Sequence, residues 1–425
     1  MPLPLRAYLR FLLEQPRLLT FGFALTLFSS FGQTYFIALF NAEIRADFNL
    51  SHGEFGLIYS VATLASGLSI IWVGSLVDRI DLRAISLITM TGMAVGALLM
   101  SWSPTLLVLP VGLYLLRLCG QGMFGHIAIT SMARYFDAHR GKSISIASLG
   151  YPGGEAIFPL LGVLLIATVG WRESWLIITG VIALFMMPLV LSLLRGHTER
   201  VRAYEAALHR ARQSDRESSD QSTPVPAARQ WRRREVLRDS RFFLLLPAIL
   251  GPAFMATGVF FHHHQLVEER GWEVEAFAAG FMLFAASQVP MGLATGVLID
   301  RIGAVRLLPF FLIPFLLGML TIGLISHPIA IPLFFLFIGL TVGSVGPLFG
   351  ATWAELYGVE HLGSIRALTT SFMVVSTSLS PFLLGALIDV HVSMSAIALG
   401  FAGYCVVASV SAGVAVRLRP PPGLE

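Results

Sequence analysis

The sequence predicts an all-α integral membrane protein, with twelve transmembrane helices in two pseudo-symmetric bundles of six. Three observations predict it. The 425-residue chain is 55% hydrophobic and only 13% charged, whereas soluble domains sit nearer half apolar and a quarter charged. The apolar residues cluster into runs of roughly 20, the length needed to cross about 30 Å of hydrocarbon. Features of the first half of the chain also return in the second at one fixed offset.

The apolar runs fall at approximately 18–42, 53–77, 84–102, 105–131, 143–168, 172–194, 242–267, 273–298, 305–325, 328–352, 366–388 and 394–416. Each is expected to be a helix, because only helices and closed barrels satisfy the backbone in lipid, and the alternation of barrel strands is absent. Lys and Arg set the orientation. With the N-terminus inside, the inner segments carry Arg79, Arg83, Arg134, Lys142, Arg301, Arg306, Arg366 and Arg417, and the outer loops only Arg45, Arg172 and Arg270. Both termini are therefore expected in the cytoplasm. The scarcity of Lys beside abundant Arg points to a GC-rich bacterial genome and so to an inner membrane. Cys119 and Cys405 lie within apolar runs, as small buried hydrophobes do. No disulfide framework or metal site is indicated. The net charge of +4 follows the membrane topology and gives no sign of a nucleic-acid partner.

The one long polar stretch divides the chain into 1–194, a linker at 195–241, and 242–425. Within the linker, "TERVRAYEAALHRARQ" reads as an amphipathic helix and "SDRESSDQSTPVPAARQ" as flexible chain. "WRRREVLRDSR" then returns to the membrane surface. Its basic face is suited to anionic lipid headgroups.

The repeat is carried by charged loops. "GSLVDRIDLR" (Gly74–Arg83) returns as "GVLIDRIGAVR" (Gly296–Arg306), which places Asp78-Arg79 and Asp300-Arg301 at an offset of 222. The same offset maps Tyr135 onto Tyr357, His139 onto His361, Gly141 onto Gly363 and Pro159 onto Pro381. Several matches at one offset indicate two homologous halves, an architecture in which transporters hold substrate near the midplane.

These segments resemble the G-x-L-x-D-R-x-G-R-R loop of the major facilitator superfamily. The resemblance covers nearly the whole chain. The first copy departs from the pattern with Asp81 where glycine is usual, and the second keeps Gly303. "RLCGQG" (Arg117–Gly122) is similar to the superfamily's fourth-helix R-x-x-x-x-G. "GYPGGEAIFPLLG" (Gly150–Gly162) is a glycine-rich fifth helix whose Tyr-Pro-Gly-Gly order departs from the G-P-x-x-G-G of drug/proton antiporters. The resemblance implies alternating access by a chain that works as a monomer. It also implies a cytoplasmic gate at Asp78, Arg79, Asp300 and Arg301. A carboxylate there can cap the N-terminus of a helix in the opposite half, stabilised by its dipole.

Residues that break the repeat are candidates for substrate and proton. Arg117 answers to Gly339 and Glu155 to Thr377. Both are charges in mid-span, which are costly there and functional by default. Their similar depth on adjacent helices allows an ion pair, and a carboxylate whose partner comes and goes can carry a proton. The alternative is a permanent structural pair. The resemblance places the first, fourth, seventh and tenth helices around the cavity, so Gln33, Tyr35, Arg117 and Gln121 are expected to converge on one ligand. Gln288 is a further polar residue on the eighth span. Among His262, His263 and His264, successive residues point about 100° apart. One is expected to face the cavity, assigned here to His263, as a second candidate for substrate or proton.

The resulting expectation is a secondary active transporter that moves a small organic anion with protons. Guanidinium pairs well with carboxylate, and the overall pattern is most similar to the monocarboxylate and oxalate/formate branch. The alternative is a proton-driven exporter of drugs or siderophores. Enzyme signatures such as H-E-x-x-H and G-x-S-x-G are missing, as is a Walker motif. No cofactor is expected. The partners are the substrate, protons and the bilayer.

Overall fold

The computed structural model describes residues 16–136, 140–196, 231–358 and 361–418, and among them every regular element is helical. Among the described residues, nine helices are long and apolar enough to cross a membrane, and they match the second, third, fifth to eighth and tenth to twelfth expected spans. The other three depart from a plain span, each for a local reason. The first is a bent pair, Pro16–Gly32 and Thr34–Phe48, at 43°. The fourth runs from Leu109 to Tyr135 through a π-helical stretch, Leu116–Phe124. It carries Arg117, Gln121, His126 and Arg134, which make it polar for a membrane helix. The ninth keeps only Ile313–Leu324 as apolar helix.

Two boundaries shift with consequences. The seventh span ends at Phe261, and a new short helix, His263–Arg270, begins after a break at His262. The eighth span extends to Ile302, so Asp300 and Arg301 belong to its last turn and not to a loop.

The first six and last six spans meet chiefly along two seams, the second span against the eleventh and the fifth against the eighth, with a smaller contact of the first span against the seventh. The ends of the molecule are named here by the linker. The linker face carries residues 79–82, 135–136, 140–142, 231–239 and 303–304, and the distal face carries the opposite turns. On the linker face, Asp81 accepts a hydrogen bond from the Arg83 amide at 2.9 Å and caps the third span. In the second copy Gly303 has φ +90°, which suits glycine. There the cap comes from the tenth span, where Glu355 accepts from the Ala304 and Val305 amides at 2.7 and 3.1 Å. The departure at Asp81 thus exchanges a cap in trans for one in cis.

The proposed amphipathic helix of the linker lies outside the described residues. The linker's return is anchored. The Trp231 amide donates to the Tyr357 carbonyl at 3.0 Å, and the Arg241 guanidinium lies 5.6 Å over the Trp231 ring. Arg241 also pairs with Asp239 at 2.8 Å, and the Tyr357 hydroxyl donates to Asp239 at 3.1 Å. Asp239 is fully buried. Asp239→Ala would leave Arg241 buried without its counter-charge. It is expected to destabilise the protein by about 3 kcal/mol or more, seen as a lowered melting temperature in detergent, with Asp239→Asn intermediate.

Candidate functional site

The site is built on the break in the first span. Gly32 crosses the fourth span so closely that a Cβ on it would collide with the Leu116 carbonyl and lie 2.8 Å from the Gly120 Cα. Only glycine fits. Gln33 then turns extended, at φ −81° and ψ 150°. The amides of Phe36 and Ile37 bond back to the Gln33 carbonyl, which leaves the Gly32 carbonyl outside the helical ladder.

Arg117 fills that vacancy. Its Nη1 donates to the Gly32 carbonyl at 3.0 Å. Its guanidinium lies 5.4 Å from the Tyr59 ring of the second span, and the Tyr59 hydroxyl donates to Thr34 at 2.9 Å. Arg117 is 3% exposed, and its Nε has no partner. One side chain therefore ties together spans one, two and four, with a donor to spare.

Glu155 and Arg117 are not paired in this conformation. Glu155, partly buried on the fifth span, accepts from Gln288 Nε2 on the eighth span at 2.7 Å. This bond crosses from the first six helices to the last six. Tyr35 is buried within electrostatic reach of Glu155. Its ring lies 5.4 Å from Phe281 of the eighth span, and its hydroxyl has no partner. Gln33 is partly buried at the break and Gln121 is exposed. The backbone of Gln121 lies against Gly32, its amide nitrogen 2.8 Å from where a Gly32 Cβ would stand. The first-span break thus brings Gln33, Tyr35, Arg117 and Gln121 together, with Glu155 beside Tyr35.

His263 is elsewhere. It is 2% exposed and stacks on Phe277 at 5.3 Å, beside Phe281, Phe334 and Phe335. This is the aromatic core of the last six helices, not a cavity wall. The expectation for His263 assumed one continuous helix. The break after Phe261 resets the rotation and turns His262 toward the other half instead. The His262 ring lies 5.7 Å from that of His52 on the second span.

The side chain of Asp78 lies outside the described residues. Arg79, Asp300 and Arg301 are exposed on the linker face, and no ion pair joins them among the described residues. A carboxylate on the N-terminus of a helix in the opposite half does occur, on the distal face. Asp389, at the end of the eleventh span, accepts from Ser51 Oγ at 2.8 Å and from the amides of His52 and Gly53 at 3.0 and 2.8 Å. These groups open the second span, whose dipole favours the negative charge. Nearby, Asn41 Nδ2 donates to the Phe261 carbonyl at 2.8 Å. These contacts on the distal face and the Glu155–Gln288 bond join the two sets of helices. The Asp389 contact escaped the sequence reading because its partners lie more than 330 positions away. The available signal was local: "SHGE" at Ser51–Glu54 is a capping box with backbone amides to offer.

Comparison with known proteins agrees with this architecture. The family model described as Major Facilitator Superfamily matches residues 22–381 and, in a second match, 266–425. Two similar solved structures are both of the nucleoside transporter NupG. One has a TM-score of 0.69 at 13% identity, covering 95% of this chain and 99% of that one. The other, a point-mutant form, has a TM-score of 0.64 at 14% identity, covering 94% and 99%. At such identities the likeness concerns the fold alone. No curated protein matches the sequence. With the family matched over most of the chain and its fold reproduced, the protein belongs to the major facilitator superfamily and is a multi-pass secondary transporter, not an enzyme.

Proposed function

We propose that the protein moves a small organic anion together with protons by alternating access. Residues 1–194 and 242–425 form the two rocking bodies, and 195–241 the connection. The linker face lies in the cytoplasm at a bacterial inner membrane, and a single chain suffices. The observation that carries the reading is the Glu155–Gln288 hydrogen bond at 2.7 Å. It puts a titratable group at the junction that must open and close, beside the unpartnered Tyr35 hydroxyl. Protonation of Glu155 removes its charge and changes what it can accept. Proton binding is thereby coupled to the fit between the halves. Arg117 supplies the anion's counter-charge through its free Nε. The exposed Asp300 and Arg301, with Asp78 and Arg79, would close the linker face when the distal face opens.

A second reading is a nucleoside. Gln33, Gln121 and Gln288 offer amide groups of the kind that hydrogen-bond base edges, and the similar structures are named as nucleoside transporters. Export of drugs or siderophores is the third.

Uptake of labelled organic acids and nucleosides into proteoliposomes, with and without a pH gradient, separates these. On the anion reading one acid is taken up with the gradient. Arg117→Ala then reduces that uptake roughly 100-fold, the value of about 3 kcal/mol for truncating a buried charge pair. Arg117→Lys does not restore it, because the ammonium lacks the planar fork. Uptake of a nucleoside with no acid transported would replace the anion reading by the second. Transport of neither class would turn the search to exported drugs and siderophores.

A further inference from the structure

On the distal face, two histidines meet across the seam that Asp389 closes. His262 follows the seventh span and is 1% exposed. His52 opens the second span. The two rings are 5.7 Å apart.

The tautomer of His262 follows from its partner. Its Nε2 lies 2.8 Å from the Pro381 carbonyl oxygen, which can only accept. Nε2 therefore carries the hydrogen. In the neutral ring Nδ1 is then a bare lone pair, and this atom is buried with no hydrogen-bond partner. The His52 Nδ1 is likewise buried and unpartnered. No water-accessible acceptor stands ready for a proton placed on His262 Nδ1 while the seam is shut.

The charged groups around the pair do not supply one. Arg45 from the first span bears on both rings and is itself cationic. Glu268, from the His263–Arg270 helix, acts on His52. Asp389 from the eleventh span acts on both rings, but its carboxylate is held by Ser51, His52 and Gly53. On the remaining side stands His263, whose Nδ1 lies 2.8 Å from the Phe260 carbonyl and must therefore donate to it.

We propose that His262 is the proton sensor of the distal gate: its protonation at Nδ1 drives the second span away from the eleventh and opens that face. The closed seam holds the neutral ring, because a buried cation with an unmet donor is costly. The open seam hydrates the ring and accepts the proton. Proton uptake and opening are therefore linked, and acid on the distal side favours opening. In a proton-driven transporter this sensor lets the gate open toward the acidic compartment before the substrate is bound. The inference rests on the alternating-access reading above.

The test is a distance across the distal face. Leu107 and Ile329 are exposed there, one in each set of helices. Spin labels on Leu107→Cys and Ile329→Cys, in lipid nanodiscs, report the separation from about pH 8 to about pH 5, across the range where imidazole titrates. The expected result for the otherwise wild-type protein is a longer-distance population that grows on acidification. His262→Gln keeps a donor for the Pro381 carbonyl and cannot take the proton, so the growth with acid is lost. His52→Gln leaves Nδ1 of His262 in place and retains the response. A wild type that opens with substrate but not with acid overturns the proposal and spares the transport reading. So does a His262→Gln variant that responds as wild type does, or a response lost in His52→Gln alone. One fixed distance under every pH and every substrate overturns both.

Discussion

Glu155→Gln is expected to abolish gradient-driven accumulation while leaving exchange intact. A pH difference of one unit stores about 1.4 kcal/mol per proton. A one-proton symporter therefore concentrates its substrate roughly tenfold per unit, and the variant should reach no concentration ratio at all. Glutamine has the size of glutamate and retains an oxygen to accept the Gln288 donor, so the bond across the junction survives. It cannot ionise, and it mimics the protonated carboxyl through the whole cycle. Counterflow of labelled against unlabelled substrate needs no net proton movement and should persist. The two assays on one preparation decide the matter. Accumulation at the wild-type ratio would remove Glu155 from the coupling step. Loss of counterflow as well would mark it as a binding or structural group.

Gly56→Leu should trap the protein with its distal face open. A Cβ at Gly56 would stand 2.5 Å from the Pro381 carbonyl oxygen and 2.8 Å from its carbon. These are backbone atoms, and no side chain can swing aside to make room. The same tightness recurs one turn away, where a Cβ on Gly385 would meet the His52 carbonyl carbon at 2.7 Å. Closing the seam over a leucine is expected to cost about 3 kcal/mol or more, the upper end for overpacking, and so to shift the balance at least about 100-fold toward the open form. Turnover should fall accordingly. A cysteine at Ser60, buried in the same seam at 6% exposure, reports the opening. A membrane-impermeant thiol reagent should label Ser60→Cys slowly alone and fast with Gly56→Leu. Cys119 and Cys405 are both buried. Full transport with slow labelling would show that this crossing does not gate the cycle.

The sequence by itself determined the elements. Apolar length marks the spans because lipid tolerates few charges and no unsatisfied backbone. Even the two spans that failed a simple apolar test were visible, the fourth through its own charges. Arg117 and Glu155 stood out because a mid-span charge needs a reason wherever it sits. The glycine-rich character of the fifth helix was legible, and Gly150 lies against the first span at Phe23 and Thr26. Within one helix the period fixes which residues share a face, so such readings need no partner.

The tertiary structure decided the pairings. Arg117 spends a donor on Gly32, 85 positions away, and Glu155 takes Gln288, 133 positions away. Neither choice follows from depth in the membrane, the coordinate on which the sequence reading placed the two side chains. A carboxylate that bridges the two halves sits at Asp389 on the distal face, and His262, not His263, lies against the other half. The physical reason is the same in each case. Rotation and register between helices are set where backbones touch, at Gly32 on Gly120 and Gly56 on Pro381, and a single break such as that after Phe261 turns every later side chain to a new direction.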